Sequence, residues 1–172
     1  RLGHHLLASG TTERAIPELM DGLEADMRSG NLARAEETAH QVQQTLSDPA
    51  TPLSTLATAA LQRARLARLR GRIHAATREL LWCDDAIDSA THPSLAALAA
   101  TEDALIAYRA GDLQRVIDRS SAGEHLAREV EAEDLVGRCL EVRARALTDR
   151  AEWSTARRTY EEARSTYEAI DD

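Results

Sequence analysis

Apolar residues along the chain recur at helical spacing and stop at short polar breaks. Ile16, Leu19, Met20, Leu23 and Met27 form one stripe that ends at Ser29-Gly30. Positions three and four apart share one face of a helix, so the pattern predicts an amphipathic helix. The same reading predicts helices over 31–46, 53–70, 72–87, 93–110, 113–130, 135–150 and 152–170. Thr11 or Thr12 is a candidate N-cap for the first helix, with Glu13 at its positive end. Pro17 is compatible with a first turn there and otherwise implies a kink. The stretches Asp48–Pro52 and Ser89–Pro93 read as linkers that put proline at a helix start. The boundary near Glu131–Asp134 carries neither proline nor glycine.

The breaks repeat on a ruler. In Tyr108-Arg-Ala-Gly-Asp-Leu113 one helix ends, the chain turns, and another helix begins. Equivalent turns precede Leu32, Ile73 and Trp153, so the four apolar anchors Leu32, Ile73, Leu113 and Trp153 stand 41, 40 and 40 residues apart. Three residues past each anchor is a compact residue: Ala35, Ala76, Val116 and Ala156. Nine residues before each come Leu23, Ala64, Ala104 and Ala144. Ten residues after each come Val42, Cys83, Gly123 and Ala163. Small residues where helices cross suit stacked helical hairpins, and a period of this size predicts a solenoid. Gly123 falls in a core-facing slot, where close backbone approach is the expected compensation for its poor helix propensity. In the last helix Trp153, Ala156, Tyr160 and Ala163 define the clearest face.

Composition narrows the class. Aromatic residues are 3% of the 172 and Phe is absent, so Leu and Ala must build the core. Ala-rich helices approach one another closely, and the expected fold is all-α. The net charge of −8 argues against an electrostatic nucleic-acid binder. All 21 basic residues are Arg, a composition that hints at a GC-rich bacterial genome. No apolar run approaches the roughly 20 residues of a membrane span. The start shows no charged-then-apolar signal pattern, and a cytoplasmic location is expected. Beginning at Arg1 inside a helical pattern, the chain reads as a piece of a larger polypeptide.

The small residues at 64, 104 and 144, followed by Ala35, Ala76, Ala156, Tyr160 and Ala163, resemble the tetratricopeptide repeat. The period here is about 40 against the 34 typical of that repeat, and the usual proline closing the second helix is missing or displaced. Longer repeats of this kind resemble those of large ATP-binding bacterial regulators of the LuxR type and related signal-transduction ATPases. The opening from His4-His5 to Leu19 is similar to the segment where such regulators enter their repeats. The resemblance implies a right-handed superhelix of antiparallel helix pairs, a TPR-like α-solenoid. One such domain covers 1–172, with repeats at 12–48, 52–89, 93–131 and 134–171 and the end of a preceding helix at 1–9. It further implies a non-enzymatic sensor or docking arm, with ATPase and DNA-reading domains elsewhere.

In that family the first helix of each pair lines the concave wall. By position the slots are Glu24 and Arg28, Arg65 and Arg68, Leu105, Tyr108 and Arg109, and Arg138, Glu141 and Arg145. Arginines there could clamp carboxylates or phosphates, so the expected partner is a protein, a peptide or a small anionic effector. The competing expectation is a structural or oligomerising segment, a homodimer included, whose arginines face water or pair with glutamates on the next helix. Enzyme chemistry has little to work with. The histidines at 4, 5, 40, 74, 92 and 125 have no ligand spacing, and no metal or other cofactor is expected. Cys83 and Cys139 are expected buried and reduced, and Asp84-Asp85 beside Cys83 disfavour a thiolate.

Overall fold

In the computed structural model of the protein, the described residues are 12–46 and 51–171. The helix end expected over 1–9 and most of the Asp48–Pro52 linker lie outside them. The described residues contain eight helices and no strand, so the fold is all-α. The helices are α1 (Thr12–Arg28), α2 (Leu32–Thr45), α3 (Leu53–Leu69), α4 (Ile73–Ala86), α5 (Pro93–Ala110), α6 (Leu113–Glu129), α7 (Glu133–Asp149) and α8 (Trp153–Asp171). Pro17 sits inside α1 beyond the free N–H groups of its first turn, where its missing donor deletes one intrahelical bond without ending the helix. The chain divides into two compact units, 1–79 and 80–172, with the division inside α4.

One turn geometry recurs. The backbone takes a positive φ at Gly30 (76°), Gly71 (73°) and Gly111 (80°), and also at Glu131 (55°) and Ala151 (60°). At each, the next residue's N–H reaches back five residues: Asn31 to Asp26, Arg72 to Ala67, Asp112 to Ala107, Ala132 to Ala127 and Glu152 to Leu147, all within 2.8–3.0 Å. This is the Schellman arrangement, which occupies carbonyls that a helix end leaves unpaired. The boundary near Glu131 that lacks Pro and Gly is thus the same turn, formed by a residue that pays a steric penalty for it. Asn31 and Asp112 then cap the following helices by accepting from the N–H groups of Arg34 and Arg115.

Burial follows the sequence ruler. The residues nine before, three after and ten after each anchor are buried in all four pairs. In the first unit Leu23, Met27, Ala35, Ala39 and Leu66 join α1, α2 and α3, while Leu19, Val42, Leu46 and Ala59 form a second cluster. In the second unit Ala104, Ala107, Val116, Val142 and Ala146 knit α5, α6 and α7. Ala97, Ala127, Val136, Leu140 and Ala163 extend the packing to α8. A Cβ on Gly123 would stand 3.0 Å from Cys139 Sγ, 3.3 Å from Ala100 Cβ and 3.3 Å from the Thr101 backbone nitrogen. That is the close approach its slot predicts. Gly137 of α7 is covered in the same way by the ring of Tyr167.

Three apolar positions differ from the sequence reading. Leu53, assigned to the inner face of α3, is 53% exposed. On α8, Ala156 and Ala163 are buried, whereas Trp153 is 65% and Tyr160 40% exposed. The compact residues of that face meet α7, and the large ones project past it.

Candidate partner-binding surface

In the first unit Arg65 of α3 lies 3.5 Å from Glu24 of α1, and Glu24 is also 3.9 Å from Arg28. First helices of successive pairs therefore meet through their charged rows. Arg68 is in the last turn of α3 and half-buried. Between α2, α3 and α4 a depression of about 170 Å³ is bordered by two further ionic groups. Glu36 accepts from Arg70 at 2.5 Å and Arg72 at 2.6 Å, and these hydrogen bonds hold its carboxyl below the usual range. Arg63 donates through Nε and Nη2 to one oxygen of Glu79. Each anion there has its cation within the fold.

In the second unit the decisive feature is the middle of α5. Ala99 through Ala104 are all buried, so this helix is enclosed on every side and carries Thr101, Glu102 and Asp103 inward. Thr101 donates to the Ala97 carbonyl at 2.7 Å and lies 3.2 Å from Cys139 Sγ. Glu102, 1% exposed, pairs with Arg138 at 2.7 Å, and Asp103, 2% exposed, holds Arg115 at 2.7 Å and Arg119 at 2.6 Å. A buried carboxylate is tolerable only when compensated in this way. Arg138, one of the arginines carried over as a wall residue, is thus the counter-ion of a buried glutamate.

Tyr108, Arg109 and Arg145 are left in a different situation. The Tyr108 hydroxyl hydrogen-bonds the Asp149 carboxylate, and this bond with burial raises the phenol above its ordinary value. Arg145 and Tyr160 lie close enough to Tyr108 to influence it electrostatically. Arg145 also pairs with Glu141 one turn back on α7. Arg109 is exposed in the last turn of α5 and forms no ion pair among the described residues. The second unit therefore gathers Tyr108 with Arg145, Asp149 and Tyr160, and Arg109 follows Tyr108 in the last turn of α5.

No family model, curated protein or solved structure matches the chain.

Other chemistry is sparse. Both cysteines are buried thiols outside any disulfide, and burial raises the Cys139 thiol despite the opposing contact with Thr101. A protonated, enclosed thiol is a packing group and a poor nucleophile. Among the described residues no cluster of three or more His, Cys, Asp or Glu side chains could hold a metal ion. No helix among them is long and apolar enough to cross a membrane. Sequence reasoning missed Glu102, Asp103 and Asp149 as organising groups. The available signal was the pair of acids inside the otherwise small and apolar run Leu98-Ala-Ala-Thr-Glu-Asp-Ala104.

Proposed function

We propose that the chain is a non-enzymatic interaction domain of tetratricopeptide-like helix pairs, serving as the sensor or docking arm of a LuxR-type regulator or signal-transduction ATPase. Its partner is a protein or peptide with exposed carboxylates, or a small anionic effector, bound on the row of first helices. The observation that supports the reading is the contact between first helices, Glu24 to Arg65 and Glu102 to Arg138, which brings them together within each unit as a wall of first helices would require. At the end of that wall in the second unit Arg109 pairs with no anion among the described residues, and it adjoins Tyr108, on which Arg145 acts electrostatically. A guanidinium on an aromatic-flanked surface suits carboxylate recognition.

A thermal-shift and fluorescence-polarisation screen with acidic peptides and anionic metabolites tests this. An acidic peptide should stabilise the wild type, and Arg109→Ala/Arg145→Ala should remove that effect while leaving the unliganded melting point nearly unchanged. Equal shifts in both proteins, or none in the wild type, would refute the assignment. A second reading, a structural or oligomerising segment, draws support from Arg65 and Arg138 being engaged by the fold's own glutamates.

A further inference from the structure

The α6–α7 interface shows what a second helix of this repeat requires of its neighbour. α7 lies on α6 with Cys139 against Gly123, Val142 and Ala146 in one cluster with Val116, and Arg143 bound to Glu124 at 2.7 Å. On the common ruler α8 is the counterpart of α6, because Trp153 corresponds to Leu113. Leu113 packs into the α7 contact, whereas Trp153 is 65% exposed. Arg164, the counterpart of Glu124, and Arg157 have side chains 72% and 78% exposed. Together with Tyr160 they border a shallow depression of about 380 Å³. Among the described residues their ion pairs are loose contacts one turn along α8, at 3.7 Å to Glu161 and 3.4 Å to Glu168. Such exposed pairs leave the guanidinium groups available.

The charge is reversed relative to α6. Where α6 offers a carboxylate to Arg143, α8 offers a guanidinium, so its complement must be a helix with small residues and carboxylates in the α7 positions. α5 has acids in those positions, Glu102 and Asp103, but they are buried and paired within the fold, whereas α1 carries the pattern on an exposed face. The α7 residues Cys139, Val142, Arg143 and Ala146 correspond on the ruler to Glu18, Asp21, Gly22 and Ala25 of α1. Glu18, Asp21 and Ala25 are exposed, and a Cβ on Gly22 would meet nothing within 4 Å. Glu18 and Asp21 pair with no cation among the described residues. We propose that the exposed α8 face around Trp153, Arg157, Tyr160 and Arg164 docks α1 of a second copy of the chain, as α7 docks on α6. On that register Arg164, in place of Glu124, enters the open slot at Gly22 beside Glu18 and Asp21, and Arg157, in place of Ile117, lies near Asp21. The inference rests on the repeat ruler and is independent of the ligand proposed above.

Sedimentation velocity on the 172-residue chain, from low micromolar to several hundred micromolar, reads the association directly. The wild type should self-associate at low salt and weaken as salt is added. Arg157→Glu/Arg164→Glu and Glu18→Arg/Asp21→Arg should each lose about tenfold or more in affinity, since each places like charges face to face. Mixed, the two variants regain complementary junctions, the unaltered α8 against the unaltered α1 and the two reversed faces against each other, and should co-assemble with equal amounts of each. Circular dichroism confirms that both variants are folded. A wild type that stays monomeric throughout, an association untouched by either reversal, or a mixture that remains monomeric overturns the proposal. Acidic-peptide binding through Arg109 and Arg145 is unaffected by these variants, so the two readings fail separately.

Discussion

Two glycines inside helices should respond to the same substitution with opposite signs. Replacing glycine by alanine within a helix gains about 1 kcal/mol from the reduced freedom of the unfolded chain and better propensity. At Gly22 of α1 nothing lies within 4 Å of the new methyl group, so that gain is kept. At Gly123 of α6 the methyl group arrives 3.0 Å from Cys139 Sγ and 3.3 Å from both Ala100 Cβ and the Thr101 nitrogen. Two of those atoms belong to the enclosed helix α5, which cannot swing aside as a long side chain can. Overpacking of this kind costs about 1–3 kcal/mol, which leaves a net loss near 1 kcal/mol after the propensity gain. The two variants should therefore differ by about 2 kcal/mol, or roughly 1 M in urea midpoint for a slope near 2 kcal/mol/M. Urea unfolding followed by far-ultraviolet circular dichroism measures both, with a fluorescence trace to check that the transitions coincide. Cys139→Ala removes the nearest contact and should reduce the Gly123→Ala cost by about 1 kcal/mol, a coupling expected only of touching residues. If Gly123→Ala proves as stabilising as Gly22→Ala, α6 does not approach α5 and α7 at that point, and the packing argument fails.

Two further outcomes follow from the turn and the buried charges. Ala151 holds φ at 60°, so Ala151→Gly should stabilise by about 0.5–1 kcal/mol, whereas Gly111→Ala should cost about 1 kcal/mol; a melting-point rise for the former and a fall for the latter, each about 2–4 °C, would show it. Arg138→Ala leaves the Glu102 carboxylate without its 2.7 Å partner and should cost about 2 kcal/mol, less than for a fully enclosed pair because the arginine is partly exposed. Glu102→Gln/Arg138→Met should recover most of that loss, and denaturant unfolding that shows no recovery would assign the loss to something other than the ion pair.

The apolar stripes and their breaks were enough to predict all-helical structure, the helix pairs and the turns that join them. Those features depend on local physics: helical periodicity, the left-handed turn at Gly30, Gly71 and Gly111, and proline at the start of α5. The ruler also marked which compact residues would be buried, because a helix crossing leaves no room for anything larger at Ala64, Ala104 or Gly123. The α6–α7 turn was harder to see, since Glu131 adopts a glycine conformation under the constraint of the helices on either side.

What tertiary structure alone decided is where the charges go. Arg138 and Arg109 look alike as residues on a repeat wall. One is consumed by Glu102, because α5 is enclosed and its inward acids need counter-ions, and the other is left facing outward. Likewise Trp153 and Leu113 hold the same place in the repeat, yet one is exposed and one packed, because burial depends on whether another helix lies over the position. Periodicity fixes the face a residue occupies; only the neighbouring elements determine whether that face becomes core, ion pair or binding surface.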